Sequence, residues 1–192
     1  VDYLAGHQRT ALPQITSLYT YHAGAHMVLD PQTTRNLEIF VGGRGDDPKA
    51  SLLSVLDATR TAMGGRLLRS WLSRPLMDLE ALERRQDAVA WFVQSALRRG
   101  RVVTILDSIS DLERLTNRVR GGTAMPRDLV ALGRSLEAAP QLRAVMEEDE
   151  DAPQVAWLAG GIGDNKEVAE LLRAAIEDDP PATLSDGGVI RR

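Results

Sequence analysis

Apolar residues return every three or four positions along most of this chain, the interval that lines one face of an α-helix. The clearest run follows Thr61, where Met63, Leu67, Leu68, Trp71 and Leu72 keep that spacing until Pro75 stops it. Thr61 is placed to cap the first turn, as Ser51 is for the preceding "LLSVLD". A longer helix is predicted from Asp78 to Leu97, with Leu82, Val89, Phe92 and Val93 inward and Glu83, Arg84, Arg85 and Asp87 outward. In "ISDLERLTNRV", Leu112, Leu115 and Val119 form one stripe, opposed by Glu113, Arg114, Asn117 and Arg118.

Pro126 suits the first position of the next helix, with Asp128 in its first turn and Leu129, Leu132 and Leu136 on one side. Pro140 is expected to interrupt that helix before Leu142, Val145 and Met146 resume. The last predicted helix begins at Asp164, with Glu167 reaching back as in a capping box. Its buried face is Val168, Leu171, Leu172, Ala175 and Ile176, and Asp178-Asp179-Pro180-Pro181 ends it.

Upstream, Leu4, Gln8, Ala11 and Leu12 trace a helix that Pro13 ends, Ile15 to Tyr21 is β-branched and aromatic, and His26 to Asp30 is a strand candidate. Pro31 opens a short helical segment anchored by Leu37, Ile39 and Phe40, and "TLSDGGVIRR" reads as a turn and a nascent strand. The expected fold is therefore all-α, one domain over residues 1–192, with short strands near 26–30 and 183–190. A first residue already inside a helix and a last strand left unfinished are expected of a piece of a longer chain.

Composition sharpens this picture. Aromatic residues make up only 4% and hydrophobic residues 43%, so the core is built from leucine, alanine, valine, isoleucine and methionine, a mixture that favours helices over a sheet sandwich. There is no cysteine, which removes disulfides, thiolate nucleophiles and cysteine-ligated metals. No apolar run approaches the ~20 residues that cross a bilayer, and no membrane partner is expected; a cytoplasmic protein is the default. The formal net charge is −4, against an autonomous nucleic-acid binder, yet 21 of the 23 cations are arginine, with only Lys49 and Lys166 as lysine. Gly64 and Gly65 inside a helix cost about 1 kcal/mol each relative to alanine and are expected where another backbone comes close.

Several features invite a chemical reading. The loop Val41 to Ser51, "VGGRGDDPKAS", resembles a phosphate cradle, but from Gly43 the register puts Pro48 where the second glycine belongs and Ala50 where the hydroxyl belongs. Proline has no amide to donate, and Asp46 and Asp47 would repel phosphates, so a solvated turn is expected, for the Arg44-Gly45-Asp46 tripeptide as well. His22 and His26 have the spacing of a helical metal pair, but Tyr21, Ala23, Gly24 and Ala25 make a poor helix and the only other histidine is His7. The acidic run Glu147 to Asp151 lacks the glycine and spacing of a calcium loop and is expected to be a solvated interhelix loop. Arg98, Arg99 and Arg101, and Arg114, Arg118 and Arg120, could touch phosphates, though without interleaved aromatics a solvated or interdomain face is the better account. No catalytic, cofactor-binding or metal-binding residue is expected.

Five stretches in order resemble the bacterial DNA mismatch repair family MutS: "MVLDPQTTRNLEIF" (Met27 to Phe40), "SLLSVLDATRTAMGGRLLRSWLSRPL" (Ser51 to Leu76), "ERRQDAVAWF" (Glu83 to Phe92), "ISDLERLTNRV" (Ile109 to Val119) and "AMPRDLVAL" (Ala124 to Leu132). "SDGGVIRR" is similar to the start of that family's lever helix. The resemblance implies that residues 1–28 leave a connector domain and 29–192 form the first segment of a helical core, with the mismatch-binding, clamp and ATPase domains outside this chain. It implies no enzymatic activity for the chain itself, and ATP and Mg only in the parent protein. Its implied partners are other domains of the same chain, with mismatched duplex DNA and MutL engaged only by the full-length dimer. The residues matching the core pattern are Asp57, Thr59, Thr61, Gly64, Arg66, Leu67, Leu68, Trp71 and Pro75, then Asp111, Glu113, Arg114 and Arg118. They are expected to fix helix packing, and so to couple DNA-clamping to ATPase parts.

Two other classes of function stay open on residues alone. One is an autonomous helical DNA-binding module using the arginine clusters; the other is a small metal-dependent hydrolase built on His22, His26 and nearby carboxylates.

Overall fold

The computed structural model describes residues 23–43, 45–149, 152–183 and 187–191. Two short helices, α1 (Pro31–Asn36) and α2 (Leu52–Leu56), precede α3 (Ala62–Ser73) and α4 (Leu79–Val93). Then come α5 (Ala96–Asp107), α6 (Leu112–Arg120), α7 (Pro126–Glu147), α8 (Pro153–Gly160) and α9 (Lys166–Ala175). The architecture is all-helical, and among the described residues both strand candidates contract to isolated bridges, His26 with Leu76 and Ile176 with Ile190. The Met27 and Met77 amides, bonded to the carbonyls of Pro75 and Ala25 at 2.8 and 3.1 Å, hold the first bridge. Such a pairing is too short to propagate a ladder. The helix expected before Pro13 and the segment Ile15 to Tyr21 lie outside the described residues, as does His22.

Side-chain caps punctuate the chain. Asp30, Ser51, Thr61, Asp78, Ser95 and Asp111 each accept the amide three positions on, which satisfies one of the orphan donors of a helix's first turn. The caps expected at Ser51 and Thr61 are therefore present. Ser95 corrects the helix predicted from Asp78 to Leu97: its extended backbone, φ −132° and ψ 106°, ends α4 and starts α5. Arg99 closes the broken end by donating to the carbonyls of Phe92 (2.9 Å) and Val93 (2.6 Å).

The inward face of α4 is also rotated from the expected one. Ala88 and Trp91 are buried, with Leu82 and Phe92 half-buried, while Val89 and Val93 are 62% and 65% exposed. An indole offers more apolar area than the two valines together give up, so Trp91 sets the rotation. It meets Phe92 edge-on at 4.9 Å between ring centres. Together with Ala88, Met146, Ala152, Val155 and Ala159 it forms the buried cluster of the bundle.

Helix α7 is the axis against which α5, α6, α8 and α9 all pack. It runs unbroken through Pro140, contrary to the interruption expected there. Proline removes one backbone bond, but Pro140 faces solvent, and Leu132, Ser135 and Ala138 before it and Val145 and Met146 after it are buried. Packing on both sides of the proline holds the helix straight through the missing bond. Where α9 crosses, Gly133 leaves room: a β-carbon there would stand 3.5 Å from Cβ of Leu172. Ser135, fully buried, donates to the Ala131 carbonyl (2.7 Å) and accepts the Ser110 amide (2.9 Å), tying the α5–α6 connection to the axis.

Two further segments depart from expectation. Helix α9 starts at Lys166 rather than Asp164, whose carboxylate accepts the Lys166 amide at 3.0 Å, and Asn165 occupies the cap without a side-chain bond, so no capping box with Glu167 forms. Because α9 approaches α7 at Gly133 through Leu172, its buried residues are Ala169 and Ile176, and Val168 and Leu171 are exposed. Helix α8 follows Pro153 at its first position, a start signal like that of Pro126.

Replacing Ser135 with alanine leaves the part-buried Ser110 amide without its acceptor. The Ser135→Ala variant is expected to lose about 2 kcal/mol of stability by chemical denaturation, while the exposed control Ser108→Ala stays within about 0.5 kcal/mol of the parent.

Candidate functional site

The residues singled out around α3 converge on one junction. Ahead of the helix, the Asp57 carboxylate accepts both the hydroxyl (2.6 Å) and the amide (3.1 Å) of Thr59, and these bonds hold its pKa below the usual carboxylate range. The Thr61 hydroxyl accepts the Gly64 amide at 3.0 Å. A β-carbon on Gly64 would come within 3.1 Å of Thr61 Oγ1, and one on Gly65 within 3.4 Å of Thr59 Oγ1. The paired glycines therefore make room for the threonines of their own cap, not for another backbone as expected, because the 57–61 turn folds back over the first helical turn.

One helical turn on, Arg66 crosses to the start of α6. Its two terminal nitrogens donate to the two Asp111 oxygens, both at 2.8 Å, and Nε donates to Glu113 Oε2 at 3.0 Å, with a further bond from the guanidinium to the same carboxylate. Asp111 simultaneously caps α6 by accepting the Arg114 amide at 3.2 Å. The Arg66 fork is the main cause, and the Arg114 amide the second, of an Asp111 pKa depressed to about 2. The two carboxylates in turn raise the pKa of Arg66. Planar, bidentate geometry of this kind is available to arginine and not to lysine.

Behind this fork the remaining predicted residues fall into place or fall away. Arg85 stacks over the Trp71 ring at 3.7 Å, joining α4 to α3, and burial chiefly, then repulsion from Arg84, lowers its pKa. Arg69 lies over Phe40 at 4.4 Å. Leu68 is half-buried, Leu67 is exposed, and the helix ends at Ser73 ahead of Pro75. Arg118 reaches Asp128 at 2.9 Å, and the same carboxylate accepts the Met125 amide, pinning the α6–α7 turn.

Two clusters weighed separately in the sequence prove to be halves of one joint. Arg101 pairs with Glu148 at 2.5 Å, and Arg143 with Glu147 at 3.0 Å. Asp149 receives Arg98 at 3.4 Å and the Trp91 indole at 3.3 Å. Arg98 also donates to the Trp91 carbonyl (3.0 Å) and lies 3.6 Å over its ring. Glu147, at the end of α7, and Glu148 and Asp149 beyond it are exposed, as expected of a solvated interhelix loop, and Asp149 also clamps the α4–α5 break; Glu150 and Asp151 lie outside the described residues. Arg101 and Glu148 lie 47 residues apart and Arg98 and Asp149 51, so spacing alone could not pair them, whereas Arg143 and Glu147 are an ordinary i,i+4 helix pair.

The loop from Val41 to Ser51 is a closed turn. Gly42 and Asp47 exchange backbone bonds at 3.0 and 2.9 Å, Glu38 takes the Gly43 amide at 2.9 Å, and Asp46 pairs with Arg35. The amides of Gly42, Gly43, Asp47, Lys49 and Ala50 are engaged by protein acceptors; Arg44 is outside the described residues. His26 sits in the bridge to Leu76, and among the described residues no group of histidine and carboxylate side chains has metal-site geometry.

A family model described as MutS domain III matches residues 32–192. Over the whole chain the sequence is 39% identical to the DNA mismatch repair protein MutS of Dehalococcoides mccartyi (strain ATCC BAA-2266 / KCTC 15142 / 195), covering 22% of that protein. It is 41% identical to the MutS of Symbiobacterium thermophilum over 98% of this chain and 22% of that one. With the MutS of Syntrophobacter fumaroxidans the identity is 42% over 92% of this chain and 20% of the other. The chain thus spans about a fifth of the length of the curated relatives it matches.

Because the folded Asp111 pKa lies below its unfolded value of about 4, the fork stabilises the fold above that pH and is lost as pH falls toward 2. Thermal melts from pH 5 to 2 are expected to show this acid limb in the parent and a flatter one in Asp111→Asn, which keeps a capping side chain but cannot titrate.

Proposed function

The chain belongs to the MutS family as a domain III segment, and on that premise we propose that it serves as the mechanical base of a longer mismatch repair protein, carrying strain between a DNA-clamping part and an ATPase part. The observation that supports this most directly is the Arg66 fork. It binds α3 to the first residues of α6 across 45 positions of sequence. Such a joint transmits the orientation of one rigid element to another.

On this reading the segment alone neither hydrolyses ATP nor discriminates mismatched DNA. Nucleotide and Mg belong to other domains of the cytoplasmic parent, and mismatched duplex and MutL are engaged by its full-length dimer. Arg98, Arg99, Arg101 and Arg118 are engaged by internal acceptors, which leaves an autonomous DNA-binding module short of the phosphate donors it was built on.

The test is made in the full-length protein carrying Arg66→Gln. Mismatch binding without nucleotide is expected to stay close to the parent value, while the effect of ATP on DNA release falls about tenfold, the size of a typical coupling free energy. An unchanged ATP response in a variant with parental circular dichroism removes the coupling role. ATP turnover by the purified 192-residue chain above contaminant level contradicts the proposal from the other side.

A further inference from the structure

Between Ser51 and Ala88 no residue is buried, and helix α3 contributes nothing to the bundle's buried cluster. Residues 24–77 form a lobe of their own. The His26–Leu76 bridge, the Met27–Pro75 and Met77–Ala25 bonds and the Arg69–Phe40 stack all close within it, and its small interior is Ile39 and Ser51. The bundle, from α4 onward, is organised about α7. Two arginine contacts join the lobe to the bundle, the Arg66 fork to Asp111 and Glu113 and the Arg85 stack on Trp71. The covalent link is the junction of Met77, whose amide is bonded to Ala25 inside the lobe, and Asp78, which caps α4.

We infer that this lobe pivots at the Met77–Asp78 junction and is held in one orientation by the Arg66 fork, which acts as a releasable latch. The geometry favours release. An apolar seam opens only when its buried area is exposed to water, whereas a forked ion pair loses little once solvent and counter-ions replace its partners. The Arg66 side chain is 49% exposed and that of Glu113 65%. An open polar groove of about 540 Å³, lined by Arg66, Asp111, Glu113, Arg114, Asn117 and Arg118, brings water and ions to the fork. Asp111, only 14% exposed, is the fixed half, held in place by its own cap bond to Arg114. The latch rests on the fold alone, and stands or falls independently of the coupling role.

Double electron–electron resonance on the full-length protein tests it, with one spin-label pair across the joint (Val55→Cys and Leu97→Cys) and one within the bundle (Leu97→Cys and Leu171→Cys). All three positions are exposed. In the parent both distances are expected to be narrow. In Arg66→Gln, and separately in Asp111→Asn or at about 0.5 M salt, the cross-joint distribution is expected to broaden and its open-to-closed ratio to rise about fivefold. The bundle pair is expected to stay narrow throughout. A cross-joint distance unchanged in both variants overturns the latch, and so does equal broadening of the bundle pair, which would mean that the fork supports the bundle's fold and not the lobe's position.

Discussion

The bundle depends on one helix being packed on several sides at once. Helix α7 meets this constraint with small residues under its neighbours and apolar ones beyond: Gly133 under Leu172, Ser135 under the Ser110 loop, Val145 beside α5, and Met146 toward α8. A wider residue at the fully buried position 135 would push the Ser110 loop outward, because close-packed interiors accommodate extra volume only by moving backbone, whereas a β-carbon at 133 would meet Leu172 in ordinary contact. The same continuity of packing explains why Pro140 leaves no break.

Arginine does outside the core what small residues do inside it. Several junctions between helices carry a guanidinium anchored to something the chain already holds in place: Arg99 on the exposed carbonyls of α4, Arg98 on Trp91 and Asp149, Arg101 on Glu148, Arg118 on Asp128, Arg66 on Asp111. The fork makes several directed bonds with little loss of freedom per bond, so the junctions keep their angles without apolar area to spare. In a chain with 4% aromatics, three of the stacks seat an arginine on one of its tryptophans.

Local signals in the sequence were read well, and signals that depend on a distant partner were not. Ser51 and Thr61 cap where hydroxyls before apolar runs should, and Pro126 opens α7, because these effects are complete within four residues. Ser95 and Pro153 carried the same kind of signal, hidden by an apolar pattern that runs through the first and by the acidic stretch that precedes the second. The rotated faces of α4 and α9 could not be read locally, since Trp91 and Ala169 are inward only because of what α8 and α7 place opposite them. The MutS resemblance marked Arg66, Asp111 and Glu113 without saying that they touch. Their contact is a matter of where two helices start, not of sequence spacing.

The preference for arginine at these joints has a consequence for regulation. Enzymes that acylate lysine alter a protein's electrostatics by neutralising ammonium groups, and here only Lys49 and Lys166 are available to them. Both sit on the surface away from the joints, Lys49 in the turn before α2 and Lys166 at the first residue of α9. The guanidinium charges that set the angles between helices are therefore chemically silent to that kind of signalling.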